Sequence, residues 1–140
     1  MGNAVSDLMT PDPYAVGTGA TIQEAAQLMR DADIGDVLVV REDGSLCGIV
    51  TDRDLVVRAV AEGSDPTGTQ VEDVCNHQVI SVSSKDPVDA AFSLMRQHNI
   101  RRLPVVDNED LVGIVTLGDL SADHDVSPVV ADISQAPPNN

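Results

Sequence analysis

Tryptophan is absent from the 140-residue chain, and Tyr14 and Phe92 are its only tyrosine and phenylalanine. A core made from this sequence has to be aliphatic, built on Val, Ile, Leu, Ala and Met. Aromatic platforms for stacking bases, which readers of single-stranded nucleic acid use, cannot be assembled from two such residues. Positive charge is scarce as well: 8 Lys plus Arg stand against 23 Asp plus Glu, a formal net charge of −15. Such a chain repels a nucleic-acid backbone or an anionic membrane surface. No apolar run approaches the roughly 18 residues that a membrane span needs. Cysteine is limited to Cys47 and Cys75, too few for a disulfide framework, and no secretory leader is read at the start. The expectation is a cytoplasmic protein with reduced thiols and with neither a nucleic-acid nor a membrane partner.

What the sequence does have is repetition. Ile22 to Gly44 aligns with Val88 to Asp110 at an offset of 66, keeping Ala25/Ala91, Leu28/Leu94, Met29/Met95, Arg30/Arg96, Ile34/Ile100, Val39/Val105 and Val40/Val106. The next loop is one residue shorter in the second copy. Beyond it Leu46 to Leu55 aligns with Leu111 to Leu120, and seven of those ten positions are identical, which is too many for chance in a chain of this length. The lead-ins Val5 to Thr10 and Val71 to Asn76 agree too. Each unit is about sixty residues, larger than a solenoid repeat. Cys47 and Cys75 align with the plain hydrophobes Val112 and Met9, so core filling is the role read for both.

Within a unit the apolar spacing is informative. Ile22, Ala25, Ala26 and Met29, and likewise Val88, Ala91, Phe92 and Met95, fall on the stripe of an amphipathic helix. Thr21 and Glu24 have the spacing of a capping box. Val37 to Val40 with Leu46 to Val50, and Leu103 to Val106 with Leu111 to Val115, read as strand, turn, strand. A second helix starts at Thr51, is expected to bury Leu55, Val56, Ala59 and Val60, and stops at Gly63. Each half is therefore a strand, a helix, two strands and a helix, an α/β (α+β) pattern. The boundaries read are 1–70 for the first motif and 71–122 for the second, with 123–140 a partly disordered tail containing Pro128, Pro137 and Pro138. A unit this small buries too little surface to be secure alone. Two are expected to pack through their sheets about a pseudo-twofold axis, leaving clefts as ligand sites.

The Thr-x-x-Asp elements carry the chemistry. Thr51 and Thr116 stand at helix starts, where unpaired backbone N–H groups and a positive dipole favour phosphate. One turn on, Asp54 and Asp119 can accept hydrogen bonds from a ribose diol. The same pattern is also a capping box, worth about 1 kcal/mol to each helix, and both roles can coexist.

Ile34 to Val40 with Gly48-Ile49-Val50-Thr51-Asp52-Arg53-Asp54, and Ile100 to Asp107 with Gly113-Ile114-Val115-Thr116-Leu117-Gly118-Asp119, resemble tandem cystathionine-β-synthase (CBS) domains, the pair known as a Bateman module. The resemblance runs over roughly Val5 to Leu120 and extends to small stand-alone bacterial CBS-pair proteins, including the hypoxic-response type. It implies a disc-like pair that dimerises through its helices and takes an adenine nucleotide (AMP, ADP or ATP) or S-adenosylmethionine. It also implies a crossed arrangement of the sites. Thr51, Arg53 and Asp54 would meet Ile100, Arg101 and Arg102, whose guanidinium groups suit phosphate oxygens. Thr116 and Asp119 would meet Ile34, Gly35 and Asp36, where a further carboxylate opposes an anion. Backbone groups near Ile34 and Ile100 would read the adenine edge.

An enzyme is not expected. His77, His98 and His124 are scattered, and the chain has no serine elbow, metal-ligating histidine pair or P-loop. No catalytic or metal-binding residues are assigned, and no cofactor is required. Asp119, Asp123, His124 and Asp125 read as an exposed acidic helix end. The expected function is that of a ligand-sensing regulatory module acting on an unidentified partner protein. The alternative is a ligand-free interaction protein working through its dimer or acidic surface.

Overall fold

The computed structural model describes residues 3–11 and 13–121. The tail expected from 123 onward, with Asp123, His124 and Asp125, lies outside the described residues. The fold is mixed α/β, with two three-stranded sheets and two compact units, one of 14–79 and one uniting the N-terminal segment with 80–121.

The first-repeat unit, 14–79, runs β2 (Ala15–Gly17), α2 (Ile22–Ala32), β3 (Asp36–Val40), β4 (Leu46–Thr51) and α3 (Asp52–Asp54). Its sheet order is β2-β3-β4, with β2 parallel and β4 antiparallel to β3. The α2 capping box forms as read: the Thr21 amide donates to Glu24 Oε1 at 3.1 Å and the Glu24 amide to Thr21 Oγ1 at 3.1 Å. Ile22, Ala25 and Met29 are buried, whereas Ala26 lies at the margin of the stripe and is exposed. Asp33 ends α2 in the left-handed conformation at φ +56°.

The second-repeat unit contains α1 (Val5–Leu8), β1 (Thr10–Pro11), α4 (Val88–His98), β5 (Arg102–Asp107), β6 (Asp110–Thr116) and α5 (Leu117–Ser121). Its sheet order is β1-β6-β5. All four expected α4 positions, Val88, Ala91, Phe92 and Met95, are buried, and Asn99 repeats the left-handed end at φ +55°. The β5–β6 turn is Asn108-Glu109, with φ values of +51° and +72°, the double positive pattern of a tight hairpin turn. Between the aligned Val40 and Leu46 the first repeat has five residues and turns on Gly44 at φ +90°, against four between Val106 and Leu111, which accounts for the change of offset between the repeats.

Three features differ from the sequence expectation. The opening strand of the second repeat shrinks to one parallel bridge, Val82 to Val105, held by the Val82 amide on Pro104 O at 3.1 Å and the Val106 amide on Val82 O at 2.8 Å. After α3 the chain widens into a π-helix over Leu55–Val60, where the Ala61 amide reaches back to Val56 O at 2.9 Å. Ala59 is buried there, but Val56 and Val60, expected inside, are 58% and 69% exposed. The inward stripe is therefore Leu55 and Ala59 alone, half of the stripe read.

The lead-ins are the third feature. Val5 belongs to the core of the second-repeat unit, whereas Val71 and Val74 belong to that of the first. Strand β1 pairs with β6, Thr10 opposite Ile114, and at the equivalent place Asn76 bridges Ile49. Each unit thus joins one repeat's body to the other repeat's lead-in. Gly113 and Gly48 make this approach possible. A Cβ at Gly48 would lie 2.5 Å from Asn76 O, and one at Gly113 would lie 2.9 Å from Thr10 O.

Candidate functional site

Strand β4 delivers Thr51 to the start of α3, and β6 delivers Thr116 to the start of α5. The Thr51 amide donates to Asp54 Oδ2 at 3.0 Å and the Asp54 amide to Thr51 Oγ1 at 3.0 Å. At Thr116 and Asp119 the same pair measures 3.0 and 3.1 Å. Both capping boxes are therefore formed. Each uses the hydroxyl as acceptor and one carboxylate oxygen, leaving the hydroxyl proton and Oδ1 outside the box. Capping therefore leaves hydrogen-bonding capacity on other atoms of the same residues. All four side chains are half-buried.

Within each unit the strand before the hairpin sets the neighbours. Thr51 lies opposite Asp36 in the β3–β4 ladder, and the Asp52 amide donates to Gly35 O at 2.9 Å. Thr116 lies opposite Arg102, and the Leu117 amide donates to Arg101 O at 2.7 Å. Ile34 and Ile100 occupy matching places, their amides donating to Met29 O and Met95 O, both at 3.0 Å. So Thr51, Asp54, Ile34, Gly35 and Asp36 gather in one unit, with Arg53 exposed on α3. Thr116, Asp119, Ile100, Arg101 and Arg102 gather in the other. The surroundings differ in charge: an acidic neighbour, the buried Asp36, at the first element and two arginines at the second. Arg58, which was not assigned a role, places Nε 3.9 Å from Asp54 Oδ1 and donates from Nη1 to Val74 O at 3.3 Å.

Cys47 and Cys75 are buried in the first-repeat core, matching the packing role read for them, but His77 joins them. His77 Nδ1 lies 3.6 Å from Cys47 Sγ and 3.9 Å from Cys75 Sγ. Burial first, then the neighbouring Cys47, pushes the Cys75 thiol up to about 11. Reading the histidines as scattered missed this grouping. The available signal was the place where the repeats part company: Cys47, Cys75 and His77 stand where the other copy has Val112, Met9 and Pro11. His98 is exposed in the last turn of α4.

Comparison with known proteins bears on the whole arrangement. The model of the CBS domain matches twice, over residues 5–60 and 71–122. The CBS domain-containing protein YhcV of Bacillus subtilis is 44% identical over 119 residues, covering 85% of this chain and 84% of its own length. Hypoxic response protein 1 of Mycobacterium tuberculosis is 34% identical over 115 residues, covering 82% of this chain and 80% of its own length. The crystal structure of Hypoxic Response Protein I with two coordinated zinc ions aligns at a TM-score of 0.79 and 32% identity, covering 87% of this chain and 99% of that one. The CBS domain pair of protein MJ0100, solved with 5′-methylthioadenosine and S-adenosyl-L-methionine, aligns at a TM-score of 0.72 and 31% identity, covering 87% and 95%.

Proposed function

The chain belongs to the CBS domain family as a tandem pair, and from that premise we propose that it is a non-catalytic regulatory module that binds an adenosine-containing ligand, an adenine nucleotide or S-adenosylmethionine. The observation carrying this reading is the duplicated capping box. Two threonines and two aspartates are locked at helix starts, each with a hydroxyl proton and a carboxylate oxygen outside the box. A phosphate takes the Thr hydroxyl and helix amides, and a ribose hydroxyl donates to the Asp oxygen. Support comes from MJ0100, a relative of the same architecture whose bound molecules are both adenosine derivatives.

The two elements are proposed to be unequal. Thr116 and Asp119, with Arg101 and Arg102 beside them in the same unit, serve the nucleotide, the guanidinium groups taking the phosphate and backbone near Ile100 the adenine edge. Thr51, Arg53 and Asp54, with Ile34, Gly35 and the buried Asp36 beside them, suit an anion less well. Thermal-shift titration of the full chain with AMP, ATP and S-adenosylmethionine tests this, because a ligand bound only by the folded state raises its melting temperature. At a concentration 100 times Kd the gain is about 2.7 kcal/mol. The expected result is a shift with at least one of the three that Asp119→Ala abolishes and Asp54→Ala retains. No shift with any of them overturns the reading, and equal loss in both variants overturns the inequality. Sensing requires in addition that the ligand prefer one of two conformations.

A homodimer through the helices fits the exposed Val56, Val57 and Val60 on the π-helix, 58%, 48% and 69% exposed, an apolar patch that a second copy would cover. In this reading Val60→Lys converts the dimer to monomer in sedimentation analysis. The cytoplasm is the compartment proposed, with an unidentified protein as the regulated partner.

A further inference from the structure

Cys47, Cys75 and His77 occupy three positions that the other repeat fills with Val112, Met9 and Pro11. Plain hydrophobes therefore suffice for packing at the two cysteine positions, and packing alone does not account for two thiols facing an imidazole. We infer that these three residues form a zinc site, with both sulfurs and His77 Nδ1 on one ion and a fourth position open to water.

The geometry carries the inference. The three ligand atoms lie within 4.8 Å of one another, and Nδ1 is 3.6 Å from Cys47 Sγ and 3.9 Å from Cys75 Sγ. In a tetrahedral zinc centre with Zn–S of about 2.3 Å and Zn–N of about 2.0–2.1 Å, the sulfur–nitrogen edge is about 3.6 Å. The donors already stand close to the spacing the ion imposes. They stand on pinned backbone: Cys47 is in β4, and Cys75 and His77 flank Asn76, which exchanges hydrogen bonds with Ile49 at 3.0 and 2.8 Å.

The histidine is also oriented for the task. Its two ring nitrogens each lie 3.1 Å from a backbone carbonyl, Nδ1 from Cys47 O and Nε2 from Glu72 O. A neutral imidazole has one N–H, so it serves only one of the two. Both nitrogens lie near Cys75 Sγ, Nε2 at 3.8 Å and Nδ1 at 3.9 Å, but Nδ1 also reaches Cys47 Sγ; with Nε2–H donating to Glu72 O, Nδ1 carries the lone pair and Nε2 makes the outer hydrogen bond that metal-bound histidines make. Two thiolates and an imidazole select a thiophilic ion over magnesium or calcium. His77 is exposed while both cysteines are buried, so the ion has a route in from solvent. On binding, each thiol gives up its proton as its sulfur bonds to the metal.

The test is titration of the reduced, metal-stripped full chain with cobalt chloride, read by absorption. The expected result is a thiolate-to-cobalt charge-transfer band that saturates at one equivalent and is bleached by one equivalent of zinc chloride. Cys47→Val and Cys75→Met import the counterpart residues. Each is expected to lose the band while the metal-free variant melts within a few degrees of the metal-free wild type. His77→Ala is expected to weaken cobalt binding by about tenfold or more. The inference is overturned by a wild-type chain that gives no thiolate band, by a band that persists in either cysteine variant, or by formation of a Cys47–Cys75 disulfide in place of zinc uptake. Should a cysteine variant fail to fold, X-ray absorption on the zinc-loaded wild type decides. Two sulfur scatterers at about 2.3 Å support the site, and an oxygen and nitrogen shell without sulfur overturns it.

Discussion

The two units share a frame and differ in what they hang on it. In both, a hairpin ends in a Thr-x-x-Asp capping box, a left-handed residue ends the preceding helix, and a glycine admits the other repeat's lead-in against the hairpin. In the first-repeat unit Cys47 of the hairpin meets Cys75 and His77 at that lead-in, and Asp36 lies beside Thr51. The second-repeat unit has Val112, Met9 and Pro11 there, and Arg102 beside Thr116. What has stayed alike is what backbone geometry demands. What has diverged is the side chains free to take up chemistry.

The largest expected effect probes the shared glycine. Gly48→Ala places a methyl 2.5 Å from Asn76 O and 2.9 Å from Cys75 Sγ, and Gly113→Ala places one 2.9 Å from both Thr10 O and Met9 Sδ. Both methyls meet a backbone carbonyl, and the overlap is deeper at Asn76 O than at Thr10 O. Chemical denaturation is expected to show losses of about 3 kcal/mol for Gly48→Ala and about 1 kcal/mol for Gly113→Ala. Equal losses would break the proposed contrast between the two lead-ins.

The capping boxes come next. Thr51→Ala and Thr116→Ala remove the same hydrogen bond and are expected to cost about 1 kcal/mol each. Equal stability losses combined with unequal nucleotide responses would sharpen the assignment of the two elements, because a merely structural role predicts equal behaviour in both assays. The hairpin turn offers a gain: Glu109 sits at φ +72°, where the first repeat's loop has Gly44 at φ +90°. Glu109→Gly is expected to raise stability by up to about 1 kcal/mol, read as a higher denaturation midpoint.

The smallest effect concerns acid. The Ser84 hydroxyl and amide and the Ser83 hydroxyl donate to Asp107 and hold its carboxyl below the usual range. The first repeat has Arg41 at that position. A carboxylate whose folded pKa is depressed stabilises the fold above its unfolded pKa, near 3.9, and loses that contribution as pH falls through the folded value. Asp107→Asn is therefore expected to lower the denaturation midpoint at pH 7, with the difference from wild type narrowing below about pH 4.

Much of the fold was legible because its signals are local. The α2 capping box spans Thr21 to Glu24, the α4 stripe spans Val88 to Met95, and every one of those interactions joins residues within a few positions of each other. The Thr-x-x-Asp elements were legible for the same reason. The π-helix was not, since Leu55–Val60 has the apolar spacing of an ordinary helix and only the i→i+5 bonds actually formed reveal which side faces inward. His77 was hidden by distance: 30 residues separate it from Cys47, and its partnership depends on the Asn76–Ile49 bridge.

By itself the sequence determined the duplication, the elements of each repeat and the helix starts, because hydrogen bonding and side-chain periodicity over one or two turns decide them. Tertiary structure alone decided that each repeat's lead-in joins the other repeat's hairpin, and hence that two thiols and an imidazole meet in one unit and not in its twin. Closing chain over such separations is governed by which surfaces fit, and the fit turns on glycines whose missing methyl groups have meaning only once the strands have met.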